Sequence, residues 1–303
     1  MQGSSGISGF FCIDKPRGWT SSDVVAVLRG ALSKSVGYKV KVGHMGTLDP
    51  MATGVLPVAA GKATRLFDVL MNKSKGYAAR MAFGYETDTL DIEGEVSERT
   101  DILPTVAQIK AAITGLTGEI EQIPPIYSAK SVGGVKAYKL ARSGAEIQMR
   151  PVKVNIFSVA LDSVNGGKNY DDADRVSEIA FTVECGGGTY IRSLCRDIAL
   201  ACGSLGTMTE LKRTYSGCFT LENAVGIEEA KANPQANIIP VITALSGIYD
   251  IEELAQNDIK KFTNGIPVRT ARADGDVLVT IDGKEYAVAH CCGGIMKARI
   301  NLW

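Results

Sequence analysis

One carboxylate, Asp49, stands in a segment suited to presenting it. The run is Gly43-His44-Met45-Gly46-Thr47-Leu48-Asp49-Pro50-Met51-Ala52-Thr53-Gly54-Val55-Leu56, and it closes with Gly61-Lys62-Ala63-Thr64. Pro50 fixes its own φ and pushes Asp49 away from helical geometry, so the side chain is held in an extended, presented state. The glycines allow a backbone or ligand to approach closely. His44, one of only two histidines, precedes Asp49 by five residues. A single positioned Asp with one nearby His points to nucleophile chemistry rather than to a metal. Taken alone, an Asp-Pro pair in a Gly-rich loop is a turn. A phosphate loop is excluded, because Leu56 stands where that motif needs Gly and Ala63 where it needs Ser or Thr.

Further motifs follow in order. They are Asp14-Lys15-Pro16-Arg17-Gly18-Trp19-Thr20-Ser21-Ser22, Lys73-Ser74-Lys75-Gly76-Tyr77, and Pro124-Pro125-Ile126-Tyr127-Ser128-Ala129-Lys130 with Gly134 and Ala137-Tyr138 behind it. Cys185-Gly186-Gly187-Gly188-Thr189-Tyr190-Ile191-Arg192-Ser193-Leu194 and Leu211-Lys212-Arg213-Thr214-Tyr215-Ser216-Gly217 complete the series. Together with the Asp49 string, this set closely resembles the signature of the TruB-type tRNA pseudouridine synthases.

Composition sets the frame. A chain of 303 residues has room for one large and one small domain, and 45% apolar residues suit a globular core. No run of about 18 apolar residues and no charged-then-apolar leader is present, so the expectation is a soluble, cytoplasmic protein without membrane contact. Seven cysteines without a C-x-x-C pair read as free thiols, and His290 beside Cys291 as packing. The net charge is zero, but no glutamate precedes Glu86, while Lys15, Arg17, Arg29, Lys34, Lys39, Lys41, Lys62, Arg65, Lys73, Lys75 and Arg80 do. Lys130 to Lys153 is basic again, with Lys136, Lys139, Arg142 and Arg150. These blocks coincide with the motifs and read as a phosphate-binding surface; the acidic block from Glu86 to Glu121 reads as a solvated face.

The elements that must position these groups follow from pattern. Phe10 to Ile13 reads as a strand, and Ser21 or Ser22 as the cap of a helix through Val24, Val25, Leu28 and Leu32. Tyr77 to Phe83, Val152 to Leu161 and Ile179 to Cys185 read as strands, Pro104 to Ile113 as a helix stopped by Gly115, and Asn165 to Arg175 as a loop. A helix from about Tyr190 to Ala201, closed by Gly203, carries Arg192. Strands and helices without βαβ alternation indicate an α+β domain. Beyond Pro240, Leu254 to Phe262 reads as a helix, and short strands with Gly turns suit a small β-barrel. The resemblance implies a largely antiparallel mixed sheet with a central cleft in residues 1–245 and a PUA-like RNA-binding domain in 246–303.

Pseudouridine formation breaks the bond from C1′ to N1 of uridine, turns the base and rejoins it through C5, with no cofactor or metal. The resemblance implies Asp49 as the carboxylate, acting as nucleophile or as stabiliser of the positive ribose. It assigns Arg192 to the partner that offsets the effect of burial on Asp49. A cation in the first turn of a helix favours that assignment, since it needs an anion close by. Tyr77 is expected to stack on the base with its hydroxyl available for proton transfer, and Tyr190 and Leu211 to wall the uracil pocket. His44 is expected to contact RNA where the uridine leaves its stack. Lys15 is expected either to brace the catalytic loop or to meet a phosphate; Lys62, Arg65, Lys130, Lys136, Arg142 and Arg150 are expected to meet phosphates. The implied substrate is uridine 55 in the T-loop of tRNA, handled by a monomer without an obligate protein partner. A tRNA chaperone and a base-removing hydrolase are the rival readings.

Overall fold

The computed structural model describes residues 6–71, 73–128, 130–132, 134–137, 140 and 148–302. In chain order the elements are β1 (Gly9–Lys15), α1 (Ser21–Val36), β2 (Val42–His44), β3 (Thr53–Ala60), α2 (Phe67–Met71) and β4 (Lys75–Phe83). A hairpin of β5 (Tyr85–Thr87) and β6 (Val96–Arg99), helix α3 (Val106–Gly115), β7 (Gly118–Gln122) and the pair β8 (Ser131–Val132) and β9 (Val135–Lys136) follow. Then come β10 (Val152–Val164), β11 (Glu178–Cys185), α4 (Ile191–Ala201), β12 (Gly206–Ser216), β13 (Phe219–Thr220), α5 (Ile227–Ala232) and α6 (Val241–Leu245). The chain ends with β14 (Asp250–Glu253), α7 (Gln256–Thr263), β15 (Val268–Arg269), β16 (Gly275–Ile281), β17 (Lys284–Cys292) and β18 (Ile295–Asn301).

The apolar run of β1 forms a strand covered on both faces. Phe11 and Ile13 join the main core with Leu28, Leu56, Met81, Phe181 and Leu194. Phe10 and Cys12 point the other way into a second core that also holds Val55, Phe219, Val241, Leu278, Val288 and Leu302. The main sheet runs β1-β3-β12-β4-β11-β10-β7, with β2 beside β3 and β13 beside β12. Its pairings are antiparallel apart from a short parallel contact between β12 and β3. The C-terminal sheet, ordered β14-β16-β17-β18-β15, closes over Phe262, Val277, Val279, Ala289 and Met296. The whole is an α+β fold with a large, mostly antiparallel sheet and a small C-terminal β unit. Among the described residues no helix is long and apolar enough to cross a membrane.

Two local differences from expectation have clear causes. The cap of α1 is Thr20, in a capping box with Asp23, rather than Ser21 or Ser22. Ser21 is used elsewhere: its buried hydroxyl accepts from the Leu48 N–H at 2.9 Å and donates to the Leu48 carbonyl at 3.0 Å. Strand β14 was not expected, because Asp-Ile-Glu-Glu carries no apolar pattern; its parallel pairing with β16 defines it. All seven cysteines are free.

Candidate active site

The Asp49 loop is pinned from several sides. Ser21 holds Leu48, the Ala52 N–H donates to the Asp49 carbonyl at 3.1 Å, and the Gly18 N–H donates to the Pro50 carbonyl at 2.8 Å. Lys15 lies fully buried beneath, and its Nζ donates to the carbonyls of Trp19 (2.7 Å), Pro16 (3.0 Å) and Pro50 (3.3 Å). Of its two expected roles the geometry supplies the brace. A buried ammonium takes its partners from the interior, as these three carbonyls show. Burial pushes this lysine down to about 8, with Asp49 the largest opposing charge.

Arg192 enters from the first turn of α4. Its Nε lies 3.0 Å from a carboxylate oxygen of Asp49, and its Nη1 lies 3.5 Å from Asp91. Nη1 also donates to the Thr89 carbonyl at 2.8 Å and Nη2 to the Tyr127 carbonyl at 2.9 Å. The fork is therefore fixed in plane by four partners. Helix α4 has no side chain of its own on its first N–H groups; the Tyr190 N–H at its cap donates instead to Oε1 of buried Gln122 at 2.8 Å. Burial raises the Asp49 carboxyl above its ordinary range, Asp91 adds to the rise, and Arg192 followed by Lys15 opposes it.

Asp91 corrects the reading of the acidic block as a solvated face. Its carboxylate is 6% exposed. It accepts from the Thr89 hydroxyl at 2.7 Å and the Glu93 N–H at 3.1 Å. The flanking Leu90, buried among exposed acids, is the one sequence signal that this turn faces inward.

Tyr77 in β4 and Leu211 in β12 lie on the same sheet face, as the cross-strand pairs Tyr77–Arg213 and Ala79–Leu211 show. Both are buried. Burial raises the Tyr77 hydroxyl, and the charge of Arg213, its cross-strand partner, works against that rise. Tyr190, half-buried, has its hydroxyl raised by burial, and the nearby Ser128 hydroxyl and Arg192 charge oppose that rise. The electrostatic influence of Asp49 reaches both tyrosines. His44 sits at the end of β2 with a buried Nδ1 that has no partner among the described residues. Burial, helped by Arg213, pushes its imidazole down, which keeps the ring neutral at pH 7.

Two cavities flank the loop. One of about 520 Å³ touches its start at Met45 and is lined by His44, Arg29, Lys41, Thr64 and Phe67. The other, about 410 Å³, touches its end at Met51 and is lined by Arg17, Thr53, Arg80, Leu211 and Lys212. Asp49 lines neither. Among the expected phosphate contacts, Lys62 and Lys130 are half-buried and Arg65 and Arg150 exposed. Arg65 also donates from Nη1 to the Asn301 carbonyl at 2.7 Å, tying the loop after β3 to the last strand of the C-terminal unit. Lys136 is described in its backbone alone, paired with Ser131, and Arg142 lies outside the described residues. Among the described residues no group of three or more His, Cys, Asp or Glu side chains is placed to hold a metal ion.

The fold is that of pseudouridine synthases. Over 97% of this chain and 85% of the other it superposes with a TM-score of 0.67 and 22% identity on the solved "Structure of H/ACA RNP bound to a substrate RNA containing 2'-deoxyuridine". A "Cbf5-Nop10-Gar1 Complex" gives the same TM-score at 23% identity. Sequence narrows the class. Residues 34–191 match the model of the TruB family pseudouridylate synthase N-terminal domain, and residues 192–237 that of the tRNA pseudouridylate synthase B C-terminal domain. The tRNA pseudouridine synthase B of Caulobacter sp. (strain K31) is 40% identical over 261 residues, covering 84% of this chain and 79% of that protein. The Lactobacillus acidophilus protein of the same name is 35% identical over 300 residues, covering 98% of each. The chain belongs to the TruB family of pseudouridylate synthases.

Proposed function

We propose that this protein converts uridine to pseudouridine in tRNA, at uridine 55 of the T-loop, with Asp49 as the reacting carboxylate. The observation that carries the reading is the ion pair of Asp49 with Arg192, in which a side chain 5% exposed addresses one that is 32% exposed. A rigid buried cation directed at a partly open carboxylate is an arrangement for presenting an anion to a substrate. The carboxylate attacks C1′ or stabilises the ribose cation while the bond to N1 breaks. The freed base turns and C5 bonds to C1′, breaking any carboxylate–C1′ bond so that Asp49 is freed; the proton on C5 departs and N1 gains one. Tyr77 stacks on the base, and Tyr190 and Leu211 bound it.

Reaching C1′ requires the uridine to leave its stack, at a cost of a few kcal/mol. Basic groups around the loop, including Lys62, Lys130 and Arg150, offset this through phosphate contacts. His44, neutral and beside a cavity rimmed by Arg29 and Lys41, contacts the RNA next to the target. We assign residues 1–245 to catalysis and 246–303 to RNA binding, in a cytoplasmic monomer that acts without a protein partner. Incubation with an unmodified tRNA transcript, followed by nucleoside mass spectrometry and carbodiimide primer extension, tests the reading. One T-loop uridine converts; free uracil in place of pseudouridine supports the hydrolase, and binding without conversion supports the chaperone.

A further inference from the structure

Arg213 is among the largest fully buried side chains of the protein, 1% exposed. Among the described residues no carboxylate lies within ion-pair distance of it. An interior guanidinium without a counter-ion is expensive, and an apolar residue in its place is often no worse for stability. Its position therefore requires a reason other than packing.

Its contacts supply one. Nε donates to the Val55 carbonyl at 2.6 Å, Nη2 to the Gly46 carbonyl at 3.2 Å, and Nη1 approaches the Thr47 carbonyl at 3.4 Å. These carbonyls lie on both sides of Asp49, so one fork clasps the entrance and the exit of the loop. Arg213 is also the direct cross-strand partner of Tyr77, on the same sheet face, and its charge opposes the rise that burial imposes on the Tyr77 hydroxyl. Gly54 completes the arrangement: at φ +95° it packs on the Arg213 backbone, where an added Cβ would stand 2.2 Å from the Arg213 carbonyl oxygen. A single residue thus holds the segment carrying Asp49 and stands directly across the sheet from Tyr77. Lys212, the residue before it in β12, is exposed.

We infer that Arg213 is a positioning residue for the isomerisation, holding the Asp49 loop and the Tyr77 hydroxyl in one fixed frame around the uridine. The inference rests on the roles given above to Asp49 and Tyr77. A lysine keeps the charge but loses the planar fork that reaches several carbonyls at once. Groups that act as a unit lose activity non-additively.

The test is a cycle of Arg213→Gln and Tyr77→Phe, alone and combined, read as single-turnover rates with enzyme in excess over a tRNA transcript, followed for hours where slow. RNA affinity is measured in parallel. Arg213→Gln is expected to lower the rate about 30-fold or more while affinity stays within about threefold. In the Tyr77→Phe background the same change is expected to lower it less than about threefold, since the frame has already lost its second member. Arg213→Lys should recover part of the rate, and it carries the same cycle if Arg213→Gln does not fold. An equal fractional loss in both backgrounds, or a loss confined to RNA affinity, overturns the inference. An active Asp49→Asn enzyme would instead overturn the underlying reading.

Discussion

The guanidinium of Arg192 and the carboxylate of Asp49 are joined through Nε at 3.0 Å, with the remaining nitrogens held by the Thr89 and Tyr127 carbonyls. The cation is therefore set before any substrate arrives, which is what electrostatic preorganisation requires. Arg192→Lys retains the charge without the fork. It should lower kcat on the order of 100-fold with a smaller change in KM, measured on tRNA transcript.

Asp91, 3.5 Å from the same guanidinium, competes for it. Asp49 sits above the ordinary value of 3.8, and the Asp91 charge is one cause. If Asp49 is the reacting anion as proposed, its protonation removes that anion and kcat falls as pH drops through the raised value. In Asp91→Asn one anion that raises Asp49 is gone, and the acid limb of kcat should move to lower pH. A profile of kcat from pH 4 to 8 checks the direction; a shift upward contradicts it.

Gly54 carries no chemistry, yet its replacement should be severe. A Cβ there meets the Arg213 backbone at 2.2 Å, and φ of +95° is unfavourable for any L side chain. Gly54→Ala should destabilise by about 2–4 kcal/mol and lower Tm by roughly 5–15 °C in thermal unfolding. Gly30→Ala, in α1 with nothing within 4 Å of the added carbon, should leave Tm unchanged or slightly raised.

Lys15 gives the fold a pH signature. Its pKa falls from 10.5 to about 8 on folding. The unfolded chain therefore binds more protons between these values, and the contribution of Lys15 to stability grows as pH rises from about 8 to 10.5. Relative to Lys15→Met, the wild-type protein should gain stability across that window in urea unfolding. Wild-type stability that falls relative to Lys15→Met as pH rises through this window contradicts the buried position.

The sequence-level reading succeeded where local chemistry is dense. Asp49 stands out in a Gly-, Thr- and Pro-rich loop, and Tyr77, Arg192 and Leu211 are singled out by the motifs that resemble the TruB family; the fold brings Arg192 onto Asp49 and places Tyr77 and Leu211 on one sheet face. Of the main sheet, β1, β4, β10 and β11 show in their apolar runs, β1 most clearly, whereas β3, β7 and β12 do not. What stayed hidden depends on the approach of distant segments. Asp91 looked like one acid among many, because only the fold turns it inward toward Arg192. Arg213 carries no role in the sequence reading, because neither residue type nor motif says which of the adjacent cations Lys212 and Arg213 points inward. Gln122 gave no signal of its contact with the Tyr190 N–H, 68 residues away in sequence. Lys15 was ambiguous for the same reason: its three carbonyl partners are set by how Trp19 and Pro50 come together.

The most direct measurement is pseudouridine formation in tRNA by Asp49→Asn, taken together with its thermal unfolding. Because folding raises the Asp49 carboxyl, its stabilising contribution is complete below 3.8 and is lost as pH rises through the folded value. Ionised Asp49 is thus a burden on stability at neutral pH, and removal of its charge should leave Tm equal or higher. Loss of activity to below about 1% of wild type, more than about 2.7 kcal/mol in the barrier, with tRNA still bound and Tm maintained, is the predicted result. Substantial pseudouridine from the folded Asp49→Asn protein would remove Asp49 from the chemistry and contradict the account.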